Sequence, residues 1–369
     1  MIKFEKDHED KLNLHFFAVT PKSPGSLQNY IDLFHEKCEG YSWNTPTPKP
    51  YRNALITPIV VGPLSTFLPY IRDLKDNGTI ERIIFDSGGF SLMTGTLKTK
   101  KIQTVDDLIE RDKILYEENV NHVEGFMMLD DPPTLADSFA QMQKKVDDTI
   151  RVTLEFFHQM SDEVQNKSIP IYHCRHLYQV EKFTKAYQPI IDKSGFVSYS
   201  AASCTLPTAS RSLDGRVVTI LSRLVEELKN VHCLGIVSPL AVFLFAKLGI
   251  RTYDGTSAAI SAGNGEVLLP YLSSVAMTRH KDKVHRTPTE REFEQLKEYT
   301  GHHCPFCSNM NDLIENNSYR LIHNLIVQDQ LSYIYRDLDV DKFISVQGNQ
   351  KYVSIIRNLL TAKDQLMLF

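Results

Sequence analysis

The chain has 369 residues, 42% hydrophobic and 23% charged, with a formal net charge of −4. That composition excludes a disordered or fibrous chain, and the length suits one α/β barrel with additions or two ordinary domains. A globally basic nucleic-acid binder is also excluded, so any such surface must be a local patch.

Short apolar runs, bounded by turn residues or helical patterns, recur along the chain. "LHFFAV" (14–19), "ITPIVVG" (56–62) and "RIIFD" (82–86) come first, then the helical "TVDDLIERDKILYEENV" and the run "GFMMLD" (125–130). The helical "TLADSFAQMQKKVDDTIRVTLEFF" leads to "IPIYHC" (169–174) and "GFVSYS" (195–200). "VVTILSRLVEELKN" precedes "HCLGIV" (232–237), and "PLAVFLFAKLG" precedes "IRTYDG" (250–255). Apolar spacings of three and four mark the helices, and continuous apolar runs mark strands buried on both faces.

About eight strands alternating with helices predict an α/β fold, a (β/α)8 TIM-like barrel over residues 1–270. The competing architecture is an open doubly wound sheet. Asp86, Asp130, His173, Ser200 and Asp254 all fall at the C-terminal ends of predicted strands. A barrel gathers those ends on one face, whereas an open sheet strings them along a crevice.

The alternation stops near residue 270, and residues 271–369 read as a helical zinc-binding subdomain packed on the barrel. It contains "TEREFEQLKEYTG", a Cys/His cluster and "NQKYVSIIRNLLTAKDQL". The charged start "MIKFEKDHEDK" is no signal peptide, and "LAVFLFA" is too short to cross a bilayer, so a cytoplasmic protein with no membrane association is expected. Cys38, Cys174, Cys204 and Cys233 read as isolated reduced thiols, leaving Cys304 and Cys307 as the one close pair.

"GHHCPFCSNMNDLIENNSYRLIHNL" sets a histidine, Cys304 and Cys307 within a few residues, with His323 on the helix that follows. The histidine is His302 or its neighbour His303. Four such ligands close a tetrahedral zinc shell and leave no position for water, which predicts a structural ion. Bottom-up, Asp254 reads either as a chemical group or as a cap before "TSAAISA", and Asp86 either as an acid or as a turn residue.

"FDSGGF", "LDDPP", "GIVSP", "YDGTSAA" and the Cys/His knuckle occur in an order that resembles the tRNA-guanine transglycosylases and their relatives, the 7-deazaguanine DNA transglycosylases. The resemblance spans residues 80–325. It implies a (β/α)8 barrel with a zinc subdomain that exchanges a guanine in nucleic acid for a 7-deazaguanine base. It further implies that Asp254 is the nucleophile at C1′ and that Asp86 is the general acid and base. Asp130 then reads the N1–H and exocyclic amine of guanine, Ser87 and Phe90 belong to the base pocket, and Leu234 covers the base's other face.

The departures concern specificity. His173 stands where the family commonly has a glutamine, Ser200 falls where it has paired glycines, and His302 replaces the first zinc cysteine. The basic stretch that bacterial tRNA enzymes carry after the nucleophile is missing, and no further RNA-binding domain is recognised. DNA is therefore the expected partner, with 7-cyano-7-deazaguanine as the incoming base and partner proteins from a modification system conceivable. The alternatives are a tRNA substrate, a non-catalytic accessory subunit and a zinc hydrolase. "KTKK" (98–101) and "TRHKDKVHR" (278–286) are the candidate phosphate contacts.

Overall fold

The computed structural model describes residues 14–18, 23–58, 61, 63–89, 104–133, 136–200, 215–250, 252–272, 274–278, 286–335, 338–346, 353 and 356–357. Among the described residues, nine strands form one sheet: β1 Leu14–Ala18, β2 Asn53–Ile56, β3 Arg82–Phe85, β4 Gly125–Met127, β5 Ser168–Ile169, β6 Ile171–Tyr172, β7 Val197–Ser200, β8 Val231–Leu234 and β9 Thr252–Gly255. Their order is β5-β4-β3-β2-β1-β9-β8-β7-β6. Every pairing within it is parallel.

The two terminal strands of that order are separated in the chain by Pro170 alone. Proline cannot donate to a ladder. Its own carbonyl is used, however, accepting from Ser198 N at 2.9 Å, while Ile169 O accepts from Met128 N at 2.9 Å. The sheet thus curls into a nearly closed barrel.

Helices alternate with the strands because local chemistry starts and stops them. Thr104 and Asp107 form a reciprocal cap on Val105–Asn119, and Ser138 and Gln141 do the same for Phe139–His158. Ser238 caps Pro239–Leu248, with proline at the first helical position, and Gly249 ends it in the left-handed conformation. The predicted second strand, expected at 56–62, is displaced: β2 spans Asn53–Ile56, and Thr57 and Pro58 do not extend it. Pro58 is unsuited to a central strand.

Among the described residues, two apolar clusters follow from the closure. Leu14, Phe16, Leu55, Ile84, Met127, Ile169, Ile171 and Phe196 fill the barrel interior, with Leu234 and Tyr333 against them. The larger cluster lies between the strands and the surrounding helices and continues into the C-terminal region. There, helix Asn317–Ile334 is buried from Arg320 to Ser332, all round its circumference.

This helix is anchored by polar contacts at four-residue spacing on one face. Arg320 Nε donates to Ala262 O at 3.0 Å. Asn324 Nδ2 donates to Ala258 O and Glu266 O at 3.2 Å each, while Asn324 Oδ1 accepts from Leu268 N at 2.7 Å. Gln328 Nε2 donates to Ser257 Oγ at 2.8 Å. The C-terminal helix therefore holds the segment that directly follows Asp254.

Candidate active site and metal centre

Because the strands are parallel, Asp86, Asp130, His173, Ser200, Leu234 and Asp254 lie at one end of the barrel, each at or just beyond its strand. Phe90 lies outside the described residues, as does "KTKK" (98–101); of "TRHKDKVHR" only Thr278 and Arg286 are described. Arg286 is taken by Glu292 through two contacts of 2.5 and 2.7 Å.

Asp86 follows β3 and accepts from Thr57 Oγ1 at 2.8 Å, the residue that follows β2. Burial pushes its carboxyl up to about 7, reinforced by the charge of Asp130 and, more weakly, by that of Asp254; the Thr57 hydroxyl and the Gly88 backbone oppose the rise. The three carboxyl groups therefore share one electrostatic environment, although their strands are far apart in sequence.

Asp130 is held from both sides. Ser87 Oγ donates to its Oδ1 at 3.2 Å, and His173 Nε2 sits 2.8 Å from its Oδ2. All three side chains are buried. The glycines of "FDSGGF" serve this packing. Gly88 has φ +80°, in the region that favours glycine, and a Cβ at Gly89 would lie 2.1 Å from Asp130 Oδ1. The close backbone approach is thus to Asp130.

Asp254 is buried, and its Oδ1 accepts from Gly235 N at 2.9 Å with His232 Nε2 at 3.0 Å. His232 Nδ1 lies 2.8 Å from Thr252 Oγ1, its register partner across β8 and β9. Leu234, two residues on from His232, borders the interior cluster, and Ser200 is its register partner on β7.

Thr57 and His232 are contacts that the sequence reading missed. Asp112 is another: it is buried on helix Val105–Asn119, its carboxyl raised well above the ordinary range by burial and then by the charge of Asp86, and its Oδ2 has no hydrogen-bond partner. A period-two count from Asp254 to Thr252 would have put both on one face, but finding His232 opposite needed the register.

His302, Cys304, Cys307 and His323 are buried together, with one ligand atom from each lying within 4.8 Å of the others. His302 belongs to the cluster, and His303 is exposed. The two sulfurs are 3.5 Å apart, close to the roughly 3.8 Å edge expected of a tetrahedral zinc thiolate pair. His302 Nε2 and His323 Nε2 are enclosed without a hydrogen-bond partner. Buried orphan nitrogens facing paired thiols fit a metal ion, which would satisfy all four at once. The hydrogen bond from the Cys304 thiol, with the nearby charge of His323, holds the Cys307 thiol well below its ordinary range.

Behind the cluster, Lys297 Nζ donates to Cys307 O at 2.9 Å, and His323 Nδ1 lies 3.3 Å from Asn324 Oδ1. The cluster is therefore adjacent in sequence and in bonding to the residue that ties down Ala258, Glu266 and Leu268. Among the described residues, no helix is long and apolar enough to cross a membrane.

No protein-family model matches this chain, and no curated protein matches it.

Proposed function

We propose that the protein is a pentosyltransferase that replaces guanine in DNA with a 7-deazaguanine base, 7-cyano-7-deazaguanine being the expected one. The observation that carries this reading is the Asp86 carboxyl, held near neutrality by burial beside the charges of Asp130 and Asp254. An acid that keeps its proton near neutral pH, close to a second carboxylate, is what glycosyl exchange requires.

In the first displacement an Asp254 oxygen attacks C1′, the C1′–N bond breaks, and the Asp86 proton passes to the departing guanine. In the second, a ring nitrogen of the incoming base attacks C1′, its proton passes to the Asp86 carboxylate, and the C1′–O bond to Asp254 breaks. Two inversions retain the configuration of the sugar. Asp130, oriented by Ser87 and His173, has lone pairs left for the N1–H and exocyclic amine of guanine. Leu234, Ser200 and Phe90 complete the base pocket in this reading.

The scaffold reading is a (β/α)8 barrel in which β5 and β6 count as one strand interrupted at Pro170. The ion is zinc, held by His302, Cys304, Cys307 and His323, and it supplies a structural cross-link. A nucleic-acid partner is supported by exposed rings at the same barrel end. Phe139 (62% exposed) and Tyr178 (46%) start the helices that follow the strands of Asp130 and His173, and His176 stacks on Tyr178 at 5.7 Å between ring centres. Flat exposed rings are suited to stacking on nucleobases next to a flipped nucleotide.

The test is incubation with labelled guanine and either duplex DNA or tRNA. Exchange into DNA that is lost in Asp254→Ala is expected. Exchange into tRNA alone would replace the substrate, and exchange into neither would favour an accessory subunit and overturn the reading.

A further inference from the structure

His232 has no part in the chemistry above, yet it is fully buried inside the barrel and fixed at both ring nitrogens. Nδ1 meets Thr252 Oγ1 at 2.8 Å, Nε2 meets Asp254 Oδ1 at 3.0 Å, and the ring packs edge-on to Phe16 with centres 6.0 Å apart. Thr252 and Asp254 are two apart on β9, so they share a face, and the β8 to β9 register sets His232 opposite Thr252. Gly235, with φ +80° just past β8, turns its own N–H onto the same Oδ1 at 2.9 Å.

One oxygen of Asp254 thus meets both contacts. Among the described residues, Oδ2 has no hydrogen-bond partner.

We propose that His232 is a positioning residue: with the Gly235 N–H it locks Oδ1 of Asp254, so that Oδ2 is the oxygen offered at the barrel mouth. The inference rests on Asp254 as the nucleophile. A carboxylate is symmetric, and rotation about its side-chain bonds would otherwise trade the two oxygens and misalign the attack on C1′. Two donors on one oxygen draw its charge and fix the plane of the group, leaving the other oxygen as the free nucleophile. A carboxylate cannot donate, so the lock demands a proton on His232 Nε2. Nδ1 makes its separate contact to the Thr252 hydroxyl, which can either donate or accept.

Two measurements test it. Long-range proton–nitrogen NMR of histidine-labelled protein, with His232→Gln to assign the signal, reads which nitrogen carries the proton. A proton on Nε2 is expected, and a bare Nε2 overturns the lock whether or not the protein exchanges bases. In single-turnover exchange, His232→Leu is expected to slow formation of the covalent nucleic-acid adduct by about 100-fold with the KM for the base unchanged. His232→Gln, whose amide can still donate to Oδ1, should recover most of that loss. Equal impairment of the two variants, or none, overturns the positioning role. Failure of the unmodified protein to exchange into DNA or tRNA would instead remove the transglycosylase reading, with the protonation result still deciding the lock.

Discussion

His173 Nε2 lies 2.8 Å from Asp130 Oδ2, and the two side chains are 0% and 6% exposed. The contact therefore replaces water that each group loses on burial at the barrel mouth. Removing His173 takes one of the two contacts described for the buried Asp130: His173→Leu is expected to destabilise the fold by about 3 kcal/mol in urea denaturation. The double variant with Asp130→Asn should cost clearly less than the sum of the two single changes, because they share one interaction. Strict additivity would contradict the pairing.

Asp86 links stability and activity to pH. Its carboxyl is raised from 3.8 to about 7, so between those values the folded chain holds a proton that the unfolded chain has lost. Its contribution to stability is full below the lower value and disappears as pH rises through the upper one. Asp86→Asn removes that dependence, so the variant is expected to gain in melting temperature over the parent between about pH 5 and pH 8. Guanine release in the first displacement should fall above about pH 7 as the acid loses its proton.

Metal loss should be felt well away from the ligands. Purified protein is expected to carry stoichiometric zinc, and Cys304→Ser should abolish it and lower the melting temperature. Hydrogen exchange should then quicken in Asn317–Ile334 and also in Ser257–Leu268, because Asn324 beside the ligand His323 bonds Ala258, Glu266 and Leu268. Faster exchange confined to residues 302–310 would show that the two regions are uncoupled.

Asn324→Leu keeps the branched shape of the side chain and deletes three hydrogen bonds to buried backbone. Each stranded group costs about 1–3 kcal/mol, so a loss of at least about 3 kcal/mol is expected in chemical denaturation, with the zinc retained. A loss below about 1 kcal/mol would mean that water replaces the amide.

Tyr178 and Phe139 are exposed, and their removal should leave stability within about 0.5 kcal/mol. Tyr178→Ala and Phe139→Ala are each expected to weaken binding of a single-stranded oligonucleotide by about 1–3 kcal/mol, read by fluorescence anisotropy at fixed salt. Unchanged affinity in both would remove the rings from the nucleic-acid surface.

The sequence by itself determined the features set by short spacings. The strand–helix alternation, the caps at Thr104, Ser138 and Ser238, and the grouping of Cys304 and Cys307 with a histidine follow from neighbours a few residues apart. The placement of Asp86, Asp130 and Asp254 at strand ends was legible for the same reason, since apolar runs stop where a polar residue begins. Only the tertiary structure decided which side chains face one another. Thr57 on Asp86, His173 on Asp130 and His232 on Asp254 each join neighbouring or near-neighbouring strands, and such pairs exist only once register and closure are fixed. A slip of one residue turns a strand's side chains to the opposite face. Register is set by the collective packing of the barrel interior and by the closure at Pro170, and no local pattern in the chain encodes either.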